Sequence, residues 1–138
     1  INEVQIASLF AKNREYYKVF KSCNVGSKTD SWCGKCPKCL FTYLIMSPFI
    51  PEKDLIEIYG RNLLKDNDLL PILKQLKGEV EVKPFECVGT IEEVNACLAV
   101  SSQQSAVSIS DLLNQYDEMN NLPEHFEAIL KDNLFKNN

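Results

Sequence analysis

Four cysteines near the start of the chain have the spacing of a metal site: Cys23, Cys33, Cys36 and Cys39. Each Cys-x-x-Cys pair can place two sulfur atoms on one side of an ion. The longer segment between Cys23 and Cys33 can then bring Cys23 to the fourth position of a tetrahedron. We therefore predict a structural Zn²⁺ site that leaves no coordination position open for catalysis. Reduced thiols or a redox pair, and an iron–sulfur cluster, are the alternatives.

The residues between these cysteines suit two tight turns around one ion. Gly34 permits the sharp turn that overlapping Cys-x-x-Cys pairs need, and Pro37 stiffens the second turn. Trp32, next to Cys33, is expected to shield the ion, with stacking on a nucleotide base as the alternative.

A second candidate site lies in residues 83–90, KPFECVGT. Glu86 could transfer a proton and Cys87 could act as a nucleophile or base, with Lys83 as the nearest cation in the sequence. The alternative is that Cys87 packs in the core while Glu86 caps a helix or forms an ion pair. Cys97 lies on the apolar face of a predicted helix and is expected in the core.

Charge is distributed unevenly along this chain of net charge −4. Residues 1–50 carry seven basic and three acidic side chains, whereas residues 51–138 carry eight basic and sixteen acidic ones. Because the chain as a whole is acidic, we do not expect it to bind nucleic acid. The basic residues 12–38 nevertheless leave one alternative function open, a non-catalytic zinc module that binds nucleic acid or protein.

The length of 138 residues fits one domain, or one domain with an appendage. No segment has the pattern of a signal peptide or of a membrane span, so we expect no membrane partner and a cytoplasmic location in which thiols stay reduced. The chain begins with Ile1 and at once with a helical pattern, so we expect that an upstream part has been removed.

A mainly helical pattern surrounds the cysteine loop, and residues 79–84 predict one short extended segment. Thr90 with Glu93 indicates a capping box, and Ser110 is the predicted cap of a later helix. We expect a zinc-binding helical domain over residues 1–105 and a helical hairpin or C-terminal extension over 106–138. The predicted helices cover residues 2–12, 39–46, 51–60, 66–78, 90–100, 110–119 and 123–134.

Four sequence blocks together resemble a known family. The blocks are FKSCN at 20–24, SWCGKCPKCLF at 31–41, SPFI at 47–50 and KPFECVGT at 83–90. They resemble the C-terminal part of the bacterial UDP-N-acetylmuramoyl-L-alanyl-L-glutamate epimerases, over about residues 1–100. More loosely, the cysteine loop is similar to the zinc loop of the 7-cyano-7-deazaguanine synthases.

The resemblance implies a part of an ATP-dependent enzyme of peptidoglycan precursor synthesis. In such an enzyme ATP activates the glutamate carboxylate, which acidifies the α-proton so that a base can remove it. Lys35, Lys38 and Lys83 would then contact the UDP-sugar dipeptide, although Lys35 and Lys38 could instead be solvated or balance the charge of the cysteines.

The glycine-rich phosphate loop that the resemblance implies for ATP is absent from this sequence. Residues 27–31 do not replace it, because they lack the paired glycines that let backbone N–H groups approach phosphate. We therefore expect the chain to be catalytically inert without an upstream ATP-binding domain.

Overall fold

The structure, a computed structural model, describes residues 1–82, 84, 88–101 and 107–136. Within these residues the fold is mainly helical and contains no strand, which confirms the predicted class. In the same residues no helix has the length and apolar character needed to cross a membrane. The α-helices are α1 (Glu3–Ala11), α2 (Pro37–Met46), α3 (Glu52–Tyr59), α4 (Leu70–Leu76), α5 (Ile91–Leu98), α6 (Ile109–Leu113) and α7 (Glu124–Phe135). Short 3₁₀ helices cover Arg14–Tyr16, Ser27–Thr29, Leu63–Lys65, Asn67–Leu69 and Ala99–Ser101.

Helix α2 lies at the centre of the hydrophobic core. Its sequence is apolar on nearly all sides, and Leu40, Tyr43 and Leu44 are almost completely buried. It packs against α1, α3, α4 and α5. The helix begins two residues before the predicted start at Cys39, because Pro37 is favoured in a first turn, where its missing N–H would have no partner.

Helix α1 is tied to residues near the end of the chain. Asn2 caps it and forms a capping box with Gln5. Gln5 is fully buried, and its Nε2 donates to the carbonyl oxygens of Leu113 at 3.0 Å and Gln115 at 2.5 Å. Helix α6 therefore packs on α1 through satisfied polar groups as well as apolar contact. The predicted domain boundary between residues 105 and 106 stays a prediction.

Glu93 joins the beginnings of α1 and α5. The predicted capping box is confirmed, since Thr90 Oγ1 accepts the Glu93 N–H at 3.2 Å and Glu93 Oε2 accepts the Thr90 N–H at 2.6 Å. Glu93 Oε1 also accepts the N–H of Glu3, at 2.6 Å. This carboxylate is 3% exposed and lies at two helix N-termini, where unpaired N–H groups and helix dipoles stabilise negative charge. Burial, and secondarily the charge of Glu93, raises the pKa of Glu3.

Two local predictions were wrong. Helix α6 is capped by Ser108 and not by Ser110, because Ser108 has an acid three residues later, Asp111, that completes a capping box. The segment predicted as extended instead forms bends at residues 79–81, and its other described residues, 82 and 84, have no regular secondary structure. Gly78, at φ +74°, ends α4, and the N–H of the next residue bonds back to the carbonyl of Lys74 at 2.9 Å.

Candidate metal centre

The four predicted metal ligands lie in one cluster: Cys23, Cys33, Cys36 and Cys39 have Sγ atoms within 4.8 Å of one another. The separation is 3.5 Å between Cys36 and Cys39, 3.7 Å between Cys33 and Cys39, and 3.9 Å between Cys23 and Cys36. Four thiolates about 2.3 Å from a tetrahedral Zn²⁺ would be roughly 3.8 Å apart. These three separations match that spacing, and all four sulfur atoms lie close enough together to surround one ion.

All four cysteines of the cluster are free thiols. Their sulfur separations exceed by far the ~2.05 Å bond of a disulfide. Two of the sulfurs are fixed by α2, since Cys36 is its N-cap residue and Cys39 lies in its first turn. Cys23 and Cys33 belong to the preceding loop, so an ion held by all four would connect that loop to the central helix.

Backbone N–H groups point at the sulfur atoms. Gly26 N–H donates to Cys23 Sγ at 3.2 Å, and Lys35 N–H donates to Cys33 Sγ at 3.4 Å. Burial raises the pKa of the Cys23 thiol, but hydrogen bonds from the backbone N–H groups of Cys33 and Gly26 and from the Cys33 and Cys39 thiols together outweigh it and lower this pKa to about 6. Such donors stabilise thiolate, the form of cysteine that binds metal.

The two thiols on α2 are in a different environment. Burial raises the pKa of Cys36 to about 11 and also raises the pKa of Cys39 well above its usual value. Both therefore hold their protons at neutral pH until a cation replaces them.

Two glycines shape the cysteine loop. A β-carbon on Gly26 would lie 1.8 Å from the carbonyl oxygen of Ser31, so no side chain fits there. Gly34 has φ +64°, as the predicted sharp turn requires, and its carbonyl accepts a hydrogen bond from Arg61 Nη2 at 2.9 Å. Arg61 also pairs with Asp66 at 2.5 Å. Gly26 and Arg61 were not predicted from the sequence. The pattern Cys-x-x-Gly could have indicated Gly26, but no local pattern indicates Arg61.

Aromatic rings cover one side of the loop. Trp32 is 9% exposed, and its ring centroid lies 5.5 Å from that of Phe20 and 4.7 Å from that of Tyr59. The Tyr59 hydroxyl donates to Thr42 Oγ1 at 2.9 Å, and Thr42 Oγ1 lies 3.2 Å from the carbonyl oxygen of Cys39. The burial of Trp32 favours packing beside the cluster over stacking on a nucleotide base.

Two of the lysines predicted to contact substrate lie next to the cluster. Lys35 is exposed, while Lys38 is partly buried and its carbonyl accepts a hydrogen bond from Thr42 Oγ1 at 2.8 Å. Their contacts with substrate stay a prediction.

The second candidate site falls largely outside the described residues. Lys83, Glu86 and Cys87 are not among them, and their substrate-binding and catalytic roles stay predictions. The described neighbour Gly89 is closely packed, since a β-carbon there would lie 2.5 Å from Glu93 Oε2. Cys97 is buried, as predicted, and burial raises the pKa of its thiol to about 12.

A comparison with known protein families gives a match over most of the chain. Residues 19–133 match the family model described as the MurL C-terminal domain. The chain belongs to this family. The match includes all four cysteines and extends through most of α7.

Curated proteins named UDP-N-acetyl-alpha-D-muramoyl-L-alanyl-L-glutamate epimerase are similar to the chain. Identity is 40% over 108 residues for Micromonospora sp., 39% over 109 residues for Salinispora tropica, and 38% over 111 residues for Xanthomonas oryzae pv. oryzae. The alignments cover 75–76% of this chain but only 24–25% of each relative. The chain thus spans about a quarter of the length of the curated relatives it matches. No solved structure matches it.

Proposed function

We propose that this chain is the zinc-stabilised C-terminal domain of an ATP-dependent epimerase. The enzyme would invert the glutamate centre of UDP-N-acetylmuramoyl-L-alanyl-L-glutamate during peptidoglycan precursor synthesis in the cytoplasm. The observation that carries the proposal is the match of residues 19–133 to the MurL C-terminal domain. The curated relatives named for this epimerase activity support the same reaction.

In this proposal the zinc ion is structural. Four sulfur atoms within 4.8 Å of one another would supply a complete tetrahedral ligand set and leave no position for substrate or water. When bound, the ion supplies a cross-link between residues 23–33 and the start of α2. Because such ligand sets form only in the folded state, the binding free energy becomes folding free energy.

The reaction is assigned to an upstream domain together with residues of this one. ATP would convert the glutamate carboxylate to an acyl adenylate with release of pyrophosphate, and the activated carbonyl would acidify the adjacent C–H. After the inversion, water would hydrolyse the adenylate to the free carboxylate and AMP. Glu86 and Cys87 are the candidates for moving this proton, since inversion needs removal from one face and return to the other. Lys35, Lys38 and Lys83 are the candidates for binding the phosphates or carboxylates of the substrate. Without the ATP-binding domain, the chain would be inert.

The alternative function, a binding module that uses the basic residues 12–38, has less support. Arg14 pairs with Asp54 at 2.7 Å, and Lys18 pairs with Glu57 at 2.8 Å. These acidic partners neutralise part of the positive charge that would attract a phosphate backbone.

The full-length protein tests the proposal. With the L-glutamyl precursor and ATP we expect AMP release and D-glutamate after hydrolysis of the product, together with zinc by elemental analysis. Glu86→Gln and Cys87→Ala should each lower kcat by about 100-fold or more, whereas the matched control Cys97→Ala should retain activity. A wild-type protein that forms no D-glutamate would overturn the epimerase assignment. Two fully active variants would overturn only the roles of Glu86 and Cys87.

A further inference from the structure

A groove between α1 and α7 has no role in the metal centre or the proposed chemistry. Its volume is about 670 Å³, and its apolar lining includes Ile1 and Leu9 on one side and Phe126, Ile129 and Leu130 on the other. The remaining lining residues are one leucine and three asparagines. Among the described residues that line this groove none is charged, although a quarter of the residues of the chain are charged.

The groove exposes large apolar side chains to solvent. Phe126 is 55% exposed, Ile129 is 57% exposed and Ile1 is 62% exposed. On α7, residues 126, 129, 130 and 133 follow the three- and four-residue spacing of one helix face, so this face forms a continuous strip. Contiguous exposed apolar surface of this kind usually marks a place where another protein segment binds.

We propose that this groove is where the upstream domain of the full-length protein docks, through an uncharged, apolar segment. The inference rests on the proposed function, in which the chain is the last part of a longer enzyme. The curated relatives, of which the chain covers only 24–25%, support that length.

The geometry favours an attached segment over a separate partner. Ile1 lines the groove, so residues joined to its N-terminal side enter from the groove itself. A tethered segment has an effective concentration in the millimolar range, and a small apolar contact is then sufficient to hold it. A second copy of the chain would need a specific interface of about 1,000 Å² or more. A phosphorylated ligand would need basic side chains, which the described lining of the groove lacks.

Photo-crosslinking in the full-length protein tests this surface. In the test variant, a benzophenone amino acid replaces Phe126. In the matched control, the same amino acid replaces Tyr16, an exposed aromatic residue outside the groove. We expect position 126, but not position 16, to crosslink within the same polypeptide to residues upstream of Ile1. Adding Ile129→Lys should lower that crosslink yield about tenfold or more, because it places a charge in an apolar contact. Adding Ala128→Lys, on the neighbouring exposed position, should leave the yield unchanged.

Two results would overturn the proposal: a crosslink from position 126 to a second copy, seen as a product of doubled mass, or a yield no higher than at position 16. The readout does not use catalysis. A wild-type protein that forms no D-glutamate, together with a crosslink at position 126, would therefore refute the epimerase assignment and leave the docking surface intact. An active wild-type protein without a crosslink at position 126 would refute the docking surface and leave the epimerase assignment intact.

Discussion

The carbonyl oxygen of Ser31 lies so close to the Cα of Gly26 that a β-carbon added there would be 1.8 Å from it. The backbone φ of Gly26 is −85°, an ordinary value, so the requirement for glycine comes from space and not from conformation. The N–H of this glycine also donates to Cys23 Sγ. The absence of a side chain at one position therefore helps to place the first of the four sulfurs.

Gly26→Ala should displace this turn and weaken metal binding. The alanine methyl group can be accommodated only if the backbone of residue 26 or 31 moves, and the hydrogen bond to Cys23 moves with it. We expect substoichiometric zinc by elemental analysis and a clear fall in Tm. Gly60→Ala is the matched control. Its φ of +82° costs about 1–2 kcal/mol, but no described neighbour lies within 4 Å of the added β-carbon, so zinc should remain. Full zinc in Gly26→Ala would contradict this view of the turn.

Cys39→Ser should remove metal and much of the stability of the domain. Cys39 is completely buried at the start of the central helix, so its loss breaks the link between the loop and α2. Structural zinc contributes on the order of 10 kcal/mol in small domains, and EDTA should imitate the substitution in the wild type. Cys97→Ala serves as a control because this buried thiol is outside the cluster. An EDTA-insensitive Tm would count against the site.

Metal affinity should rise with pH. The raised pKa values of Cys36 and Cys39 mean that both thiols are protonated at pH 7, whereas Cys23, at about 6, is mostly thiolate. Binding should therefore release about two protons or more, and the apparent association constant should increase about 100-fold per pH unit near neutrality. Calorimetric titration in two buffers of different ionisation enthalpy measures this number. Release of less than about one proton would be inconsistent with these thiols as ligands.

Glu93→Gln should destabilise the domain without removing metal. The substitution replaces a carboxylate that accepts N–H bonds from Thr90 and Glu3 with an amide that has one acceptor oxygen. We expect a loss of about 1–3 kcal/mol in the free energy of unfolding, measured by denaturant titration. Glu92→Gln, on an exposed position of the same helix turn, should change little. If Glu93→Gln and Glu92→Gln changed the free energy of unfolding equally, the hydrogen bonds of Glu93 to Thr90 and Glu3 would not contribute to stability.

Tyr59 allows its ring and its hydroxyl to be tested separately. Tyr59→Phe removes only the hydroxyl, which donates to Thr42 Oγ1 and also contacts Met46 Sδ at 3.9 Å, and should cost about 1 kcal/mol. Tyr59→Ala also removes the ring that contacts Trp32 and should cost about 3–5 kcal/mol. Thermal unfolding with bound zinc gives both values. Similar losses for the two variants would mean that ring packing contributes little.

The metal cluster could be predicted from sequence because all its ligands fall within seventeen consecutive positions, where spacing alone limits the geometry. The same holds for local helix signals such as the Thr90 capping box and Gly60 at the end of α3. At the start of α6 two serines, Ser108 and Ser110, are candidate caps. Ser108 is the cap because Asp111, three residues later, completes its capping box.

The polar contacts between distant elements could not be predicted. Gln5 finds its acceptor Leu113 at a separation of 108 residues, and Glu93 meets Glu3 at a separation of 90. Both side chains would ordinarily be assigned to the surface, since glutamine and glutamate are seldom fully buried. Their burial depends on which helices pack against each other, and a single sequence contains no periodic pattern that indicates this packing.

Trp32 is the single tryptophan of the protein and directly precedes Cys33. Its indole is buried against Phe20 and Tyr59, and its Nε1 makes no hydrogen bond to any described residue. The protein thus carries an intrinsic optical reporter beside its sulfur atoms. Its emission should be blue-shifted at rest and move to longer wavelength when a chelator opens the loop, so that ion release can be followed in real time without a label.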